Sequence, residues 1–93
     1  MALDYIHSKK IIHRDIKLDN TLVGKIDEEL FEVKIADFGL AVFTPNNEFI
    51  YDKCGTPGNV APEVLSGEGY SYKADIFSLG SVLFNLLTGK HLF

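Results

Sequence analysis

His13-Arg14-Asp15-Ile16-Lys17-Leu18-Asp19-Asn20 is a polar-rich octet set between the apolar pair Ile11-Ile12 and the run Thr21-Leu22-Val23. β-Branched residues on both flanks predict a short loop held between two strands that pair and anchor its ends. The loop gathers a carboxylate, a cation and an amide within a few residues. Such a set suits phosphoryl transfer, in which a protein positions an attacking hydroxyl, neutralises phosphate charge and holds a metal through oxygen ligands. The second carboxylate that a metal needs stands at Asp37, in Asp37-Phe38-Gly39, after another alternating run. Ala61-Pro62-Glu63 follows downstream.

With these three motifs in this order, the chain resembles a eukaryotic-type protein kinase. His13-Arg14-Asp15 with Asn20 is similar to the catalytic loop, Asp37-Phe38-Gly39 to the magnesium motif and Ala61-Pro62-Glu63 to the end of the activation segment. The resemblance runs from about Leu3 to Leu87. Lys17 and the run Gly55-Thr56-Pro57-Gly58 resemble the serine/threonine class, and Cys54 to Leu65 is most similar to the calcium/calmodulin-dependent group. The fold implied is α+β, a partial protein-kinase-like fold over residues 1–93. It is expected to comprise a helix end, a catalytic loop over 13–20, short strands, an activation segment over 37–63 and a buried central helix over 73–88.

Ninety-three residues, 46% of them apolar, suffice for one small unit that is marginal unless well packed. A kinase domain is longer. The sequence has no G-x-G-x-x-G, no strand lysine of the V-A-I-K type and no partner glutamate, so the ATP-covering small lobe is not encoded here. The expectation is an internal fragment of the large lobe whose partners are the missing small-lobe and terminal segments. A net charge of -4 without a basic patch excludes a nucleic-acid surface. Cys54, the only cysteine, excludes an intrachain disulfide and fits a reducing cytoplasmic or nuclear setting. The stretch from Met1 to His7 lacks the pattern of a signal peptide. No metal spacing links His7, His13 and His91.

Ala2, Leu3 and Ile6 share a helical face, which Ser8-Lys9-Lys10 closes. Gly24 to Leu30 reads as a polar connection with a solvated acidic tip, Asp27-Glu28-Glu29. Phe31, Val33 and Ile35 alternate with Glu32 and Lys34, predicting a strand with one buried face. Gly39 is expected to provide the sharp turn after Asp37, and Leu40 to Phe43 a further strand. Thr44 to Gly58 reads as a long functional loop. Pro62 opens a short helix to Leu65 that Gly67 stops. Apolar residues from Lys73 to Leu87 wrap almost fully around a helix, the pattern of a buried one, whose other faces are expected to be covered by segments that this chain does not contain. Asp75, Ser78, Ser81 and Asn85 interrupt it, so it does not span a bilayer.

The resemblance implies ATP and Mg2+ as cofactors and a protein Ser/Thr hydroxyl as acceptor. It makes Asp15 the residue that orients the hydroxyl and takes its proton, with Lys17 beside the transferred phosphoryl oxygens. Asn20 and Asp37 are the implied magnesium ligands. Arg14 is the implied receiver of a phosphate on the activation segment. Pro45 to Gly55 contains no Ser or Thr, however, and Tyr51 is its only hydroxyl. Asp52 is therefore expected to pair with Arg14 as a weaker substitute, while Thr56 contacts Asp15 and Lys17 in the substrate pocket. Leu18, Asn59 and Phe77 depart from the family pattern, and Asn59 bears on peptide preference. Glu63 lacks the arginine that the pattern pairs with it. A pseudokinase-like interaction module and a truncated gene product are the alternatives.

Overall fold

The periodicity of the first residues produces α1 (Ala2–Ser8), which buries Leu3 and leads the chain into β1 (Ile11–Ile12). The computed structural model describes residues 2–90. Met1 and His91 lie outside the described residues, and with them the expectations that involve either. After β1 the octet makes one 3-10 turn, Leu18–Asn20, before β2 (Thr21–Lys25), β3 (Phe31–Ile35) and β4 (Val42–Phe43). The two flanks of the octet pair with different partners rather than with each other. β1 runs antiparallel to β4, with Ile11 opposite Phe43, and β2 runs antiparallel to β3 from Thr21–Ile35 to Lys25–Phe31. Each end of the loop is thus tied to a strand that flanks the Asp37 motif.

The acidic tip is built as a turn. Asp27 Oδ1 accepts the amides of Glu29 and Leu30, each at 2.9 Å, which is what a short polar side chain does at a tight reversal. The β2–β3 ribbon leaves both its faces open, contrary to the expectation of one buried face. Phe31 and Val33 are more than half exposed, because no second layer covers the ribbon among the described residues. The strand expected over 40–43 shortens to Val42–Phe43, since Leu40 lies in a turn closed by Ala41 N–H donating to Phe38 O.

Within the long loop, Ile50 and Tyr70 exchange both backbone hydrogen bonds, each 2.9 Å, fastening its middle to the segment that precedes the last helix. α2 (Pro62–Ser66) starts on Pro62 and stops at Gly67, whose φ of 77° is the left-handed conformation of a helix end. α3 (Lys73–Thr88) ends the same way at Gly89. Two small cores result. Ala61, Val64, Tyr70 and Ala74 form one, with Ile50, Val60 and Phe77 against it; Leu3, Ile16 and Val82 form the other, with Ile6, Ile35 and Leu79.

α3 is covered on one side among the described residues, and that side is largely the polar one. Its buried residues are Ala74, Asp75, Ser78, Ser81 and Val82, while Ile76, Leu83, Leu86 and Leu87 are exposed. The polar side faces inward because irregular backbone lies against it and needs hydrogen-bond partners. Ser78 Oγ donates to Asn59 O, and Ser81 Oγ donates to Gly58 O at 2.8 Å. Asp75, 1% exposed, accepts the amides of His13 at 2.8 Å and Arg14 at 2.9 Å, together with His7 Nε2 at 2.8 Å.

Asp75→Ala strips two buried amides of their acceptor, and the stability of the chain is expected to fall by about 3 kcal/mol or more. Ser81→Ala removes one neutral bond and costs roughly 1 kcal/mol. Urea unfolding of the two variants checks this ranking. A smaller loss for Asp75→Ala than for Ser81→Ala would contradict it.

Candidate active site

Arg14 adopts φ 71°, a left-handed conformation that costs a non-glycine residue about 1–3 kcal/mol and persists only where its surroundings impose it. Asp75 imposes it by accepting two consecutive amides, those of His13 and Arg14. His13 is fully buried and wedged at the same place. Its Nε2–H donates to Ala36 O at 2.9 Å, and its Nδ1 accepts the Asp15 amide at 3.1 Å. One donor and one acceptor make it the neutral imidazole, used as a spacer between loop and strand. The Phe38 ring meets it edge-on at 4.8 Å.

Fixed from behind, Asp15 collects three neighbours. Thr56 Oγ1 donates to Asp15 Oδ1 at 2.9 Å; Asn20 Nδ2 donates to its carbonyl at 2.8 Å and to Oδ2 at 3.2 Å. Lys17 Nζ lies 3.9 Å from Oδ2. Asn20 is itself buried, and its carbonyl accepts the Ala36 amide at 2.8 Å, so the residue before Asp37 is bonded to both His13 and Asn20. Asp15, Lys17, Asn20, Thr56 and the approach to Asp37 therefore belong to one locality.

Asp37, rather than Gly39, makes the sharp turn of its motif. Its φ is 58°, whereas Gly39 shows no positive φ. Gly39 serves by its size, since a Cβ there would stand 3.1 Å from Asp37 Oδ1, the same atom that accepts the Gly39 amide at 3.1 Å. The donor set suits a hard cation. Both side-chain hydrogen bonds of Asn20 leave through Nδ2, so neither uses Oδ1, and Asp37 adds an exposed carboxylate. Magnesium accepts one or two protein oxygens and takes the rest from phosphate and water. Among the described residues, no group of three or more His, Cys, Asp or Glu side chains forms a metal cluster, so a protein-only cage of that kind is not built from them.

The expected Arg14–Asp52 pair is present only loosely. Arg14 Nη1 lies 3.9 Å from Asp52 Oδ2, and the Asp52 side chain is 85% exposed; pairs of this kind are worth roughly 0–1 kcal/mol. Arg14 is held more firmly elsewhere, by Nε–H donating to Leu40 O at 2.6 Å and Nη1–H donating to Tyr70 Oη at 3.3 Å. The Tyr70 hydroxyl in turn donates to Asp52 O. Gly55, at φ 114°, passes so close that a Cβ would meet Val60 Cγ2 at 2.9 Å and Arg14 O at 3.1 Å. Glu63 makes no ion pair among the described residues.

A cleft of about 290 Å³ opens beside this centre, lined in part by Lys17, Asp19, Thr56, Asn59 and Asn85. Sequence reasoning missed Asp75, Tyr70 and His7. Asp75 had a signal, a lone acid in an otherwise apolar helix; Tyr70 and His7 had none, because their partners are 18 and 68 residues distant along the chain.

Residues 1–93 match the family model described as the protein kinase domain. A serine/threonine-protein kinase/receptor of Acanthamoeba polyphaga mimivirus is 50% identical over 95 residues, covering 100% of this chain and 6% of that protein. A serine/threonine-protein kinase of Drosophila melanogaster is 49% identical over 90 residues, covering 95% of this chain and 12% of its own length. The serine/threonine-protein kinase zyg-8 of Caenorhabditis elegans is 47% identical over 89 residues, with 95% and 11% covered. The chain thus spans a small part of these relatives.

Burial raises the Tyr70 phenol above its ordinary value of 10.0, against the lowering effect of the Arg14 hydrogen bond, and Cys54 adds to the rise. The unfolded chain then loses this proton at a lower pH than the folded one. The contribution is fully present below pH 10.0 and is lost as pH climbs from there through the folded value. Urea midpoints measured over the alkaline range are expected to fall less steeply in Tyr70→Phe than in the parent. Parallel alkaline losses would contradict this.

Proposed function

The chain belongs to the protein kinase domain family, and from that membership we propose that it forms the core of the large lobe of a serine/threonine kinase. In its whole protein it would transfer the γ-phosphoryl group of ATP to a Ser or Thr hydroxyl of a protein substrate. One observation carries the reading. Asp15 is oriented at once by Thr56 from the activation segment and by Asn20 from its own loop, the arrangement of a carboxylate aimed at an incoming hydroxyl.

Asp15 accepts the hydroxyl proton. Lys17 sets positive charge beside it, where the transferred oxygens gather charge. Asn20 through Oδ1 and Asp37 through its carboxylate would hold Mg2+, which when bound neutralises phosphate charge. Arg14 links the loop to the activation segment, with Asp52 a weak partner. Exposed apolar residues on the ribbon (Leu22, Val23, Phe31, Val33) and on α3 (Leu83, Leu86, Leu87) favour the fragment reading, as surfaces that further segments of a whole kinase would cover. The run from Cys54 to Leu65 favours the calcium/calmodulin-dependent group. Asn59 lines the cleft beside Lys17 and Thr56, which bears on the peptide accepted.

In the whole protein, Asp15→Asn is expected to lower kcat by about 10²–10⁴-fold with the KM for ATP little changed. An unchanged kcat would overturn the assignment of Asp15. Mg-ATP binding without any phosphoryl transfer in the parent protein would favour the interaction-module reading instead. The 93-residue chain alone is expected to be inactive, since it encodes no lysine–glutamate pair to hold the nucleotide.

A further inference from the structure

Arg14 reaches from the catalytic loop to Asp52 and Tyr70, and the sequence offers the activation segment no Ser or Thr between Pro45 and Gly55 to carry a phosphate. The acid that could stand in, Asp52, points its carboxylate to solvent at 3.9 Å from the guanidinium. The buried contact to the same guanidinium is the Tyr70 hydroxyl. Tyr70 is only 3% exposed, its ring is fixed between Val64, Ala61 and Ala74, and its backbone is bonded to Ile50 in both directions. Its oxygen accepts from Arg14 Nη1 and its proton goes to Asp52 O. A rigid, desolvated hydroxyl bonded to a charged group outweighs an exposed ion pair made by a mobile side chain.

We propose that Tyr70 is the positioning residue for this segment: its hydroxyl sets Arg14 and holds residues 51–54 by the Asp52 carbonyl, so the segment is ordered without added phosphate. Asp52 then matters through its main chain, and its carboxylate contributes little. The inference deepens the proposed function by naming how that site is regulated, and it rests on that reading only for its biological meaning. The neighbouring geometry agrees with a segment built around a fixed point. Gly69, at φ 91°, lets the Tyr51 ring lie against the backbone, where a Cβ would meet it at 2.8 Å.

The test is backbone and Arg14 Nε relaxation by NMR on the full 93-residue chain. In the parent, residues 51–54 are expected to show order parameters near ~0.85, and in Tyr70→Phe to drop below ~0.6, while Arg14 Nε–H, whose acceptor is Leu40 O, is expected to be unchanged. Amides of Val64 and Ala74 should be unmoved, because the phenylalanine ring keeps the core filled. Asp52→Ala should match the parent. Should Tyr70→Phe fail to fold, the parent itself is read: the Tyr70 hydroxyl proton, which donates to Asp52 O, is expected to exchange slowly, and exchange as fast as that of the exposed Tyr51 hydroxyl would overturn the proposal. Rigid 51–54 residues in the folded variant, or an equal loosening in Asp52→Ala, would overturn the proposal. Phosphoryl transfer is not read here, so an inactive kinase would sink the enzymatic reading and leave this one standing.

Discussion

A single buried carboxylate holds the centre of the molecule. Asp75, on the first turn of α3, accepts two consecutive main-chain amides from a loop about sixty residues earlier, and so maintains Arg14 in a backbone conformation it would not choose alone. His7 supplies the third donor from the end of α1. Three donors satisfy a group whose burial would otherwise be expensive. The peptide held this way fixes where His13 and Arg14 point, and through the Asp15 amide on His13 Nδ1 it fixes the carboxylate in front.

The same logic explains why α3 presents its polar side inward. Strands pair their own backbone groups, but the octet and the segment through Gly58 and Asn59 have no sheet to join. Ser78, Ser81 and Asp75 supply the missing partners, and Leu83, Leu86 and Leu87 are left on the outer side. Rigidity at the site is thus inherited from a helix rather than from a sheet. Arg14 passes it on to the stretch around Asp52 through Tyr70, and Thr56 returns that stretch to Asp15.

Local signals in the sequence located most elements. Pro62 and Gly67 bracket α2 within one residue of its observed end, and the alternation from Phe31 to Ile35 coincides with β3. The resemblance carried by the octet and by Gly55-Thr56-Pro57-Gly58 gave Thr56 as a contact of Asp15, and Thr56 Oγ1 does donate to Asp15 Oδ1 at 2.9 Å. What failed were the expectations about which faces are covered and which residue makes a turn. Alternation told which residues of β3 share a face but not that the face would stay open. Apolar content told that α3 is central but not which side is covered. The turn at the Asp37 motif was assigned to the glycine, whereas the aspartate adopts it and the glycine yields space. Tyr70 carried no signal, since a lone tyrosine before a helix is unremarkable until Arg14 and Asp52 O are seen beside it.

The account stands on Asn20 and Asp37 offering oxygens to one cation next to Asp15. Manganese, which shares magnesium's preference for oxygen ligands, broadens the NMR signals of nuclei near it and reports that place directly. Titrated into the chain, Mn2+ is predicted to broaden the signals of Asp15, Asn20 and Asp37 first and together. Broadening confined to the acidic tip at Asp27, Glu28 and Glu29, with Asn20 and Asp37 untouched, would contradict it.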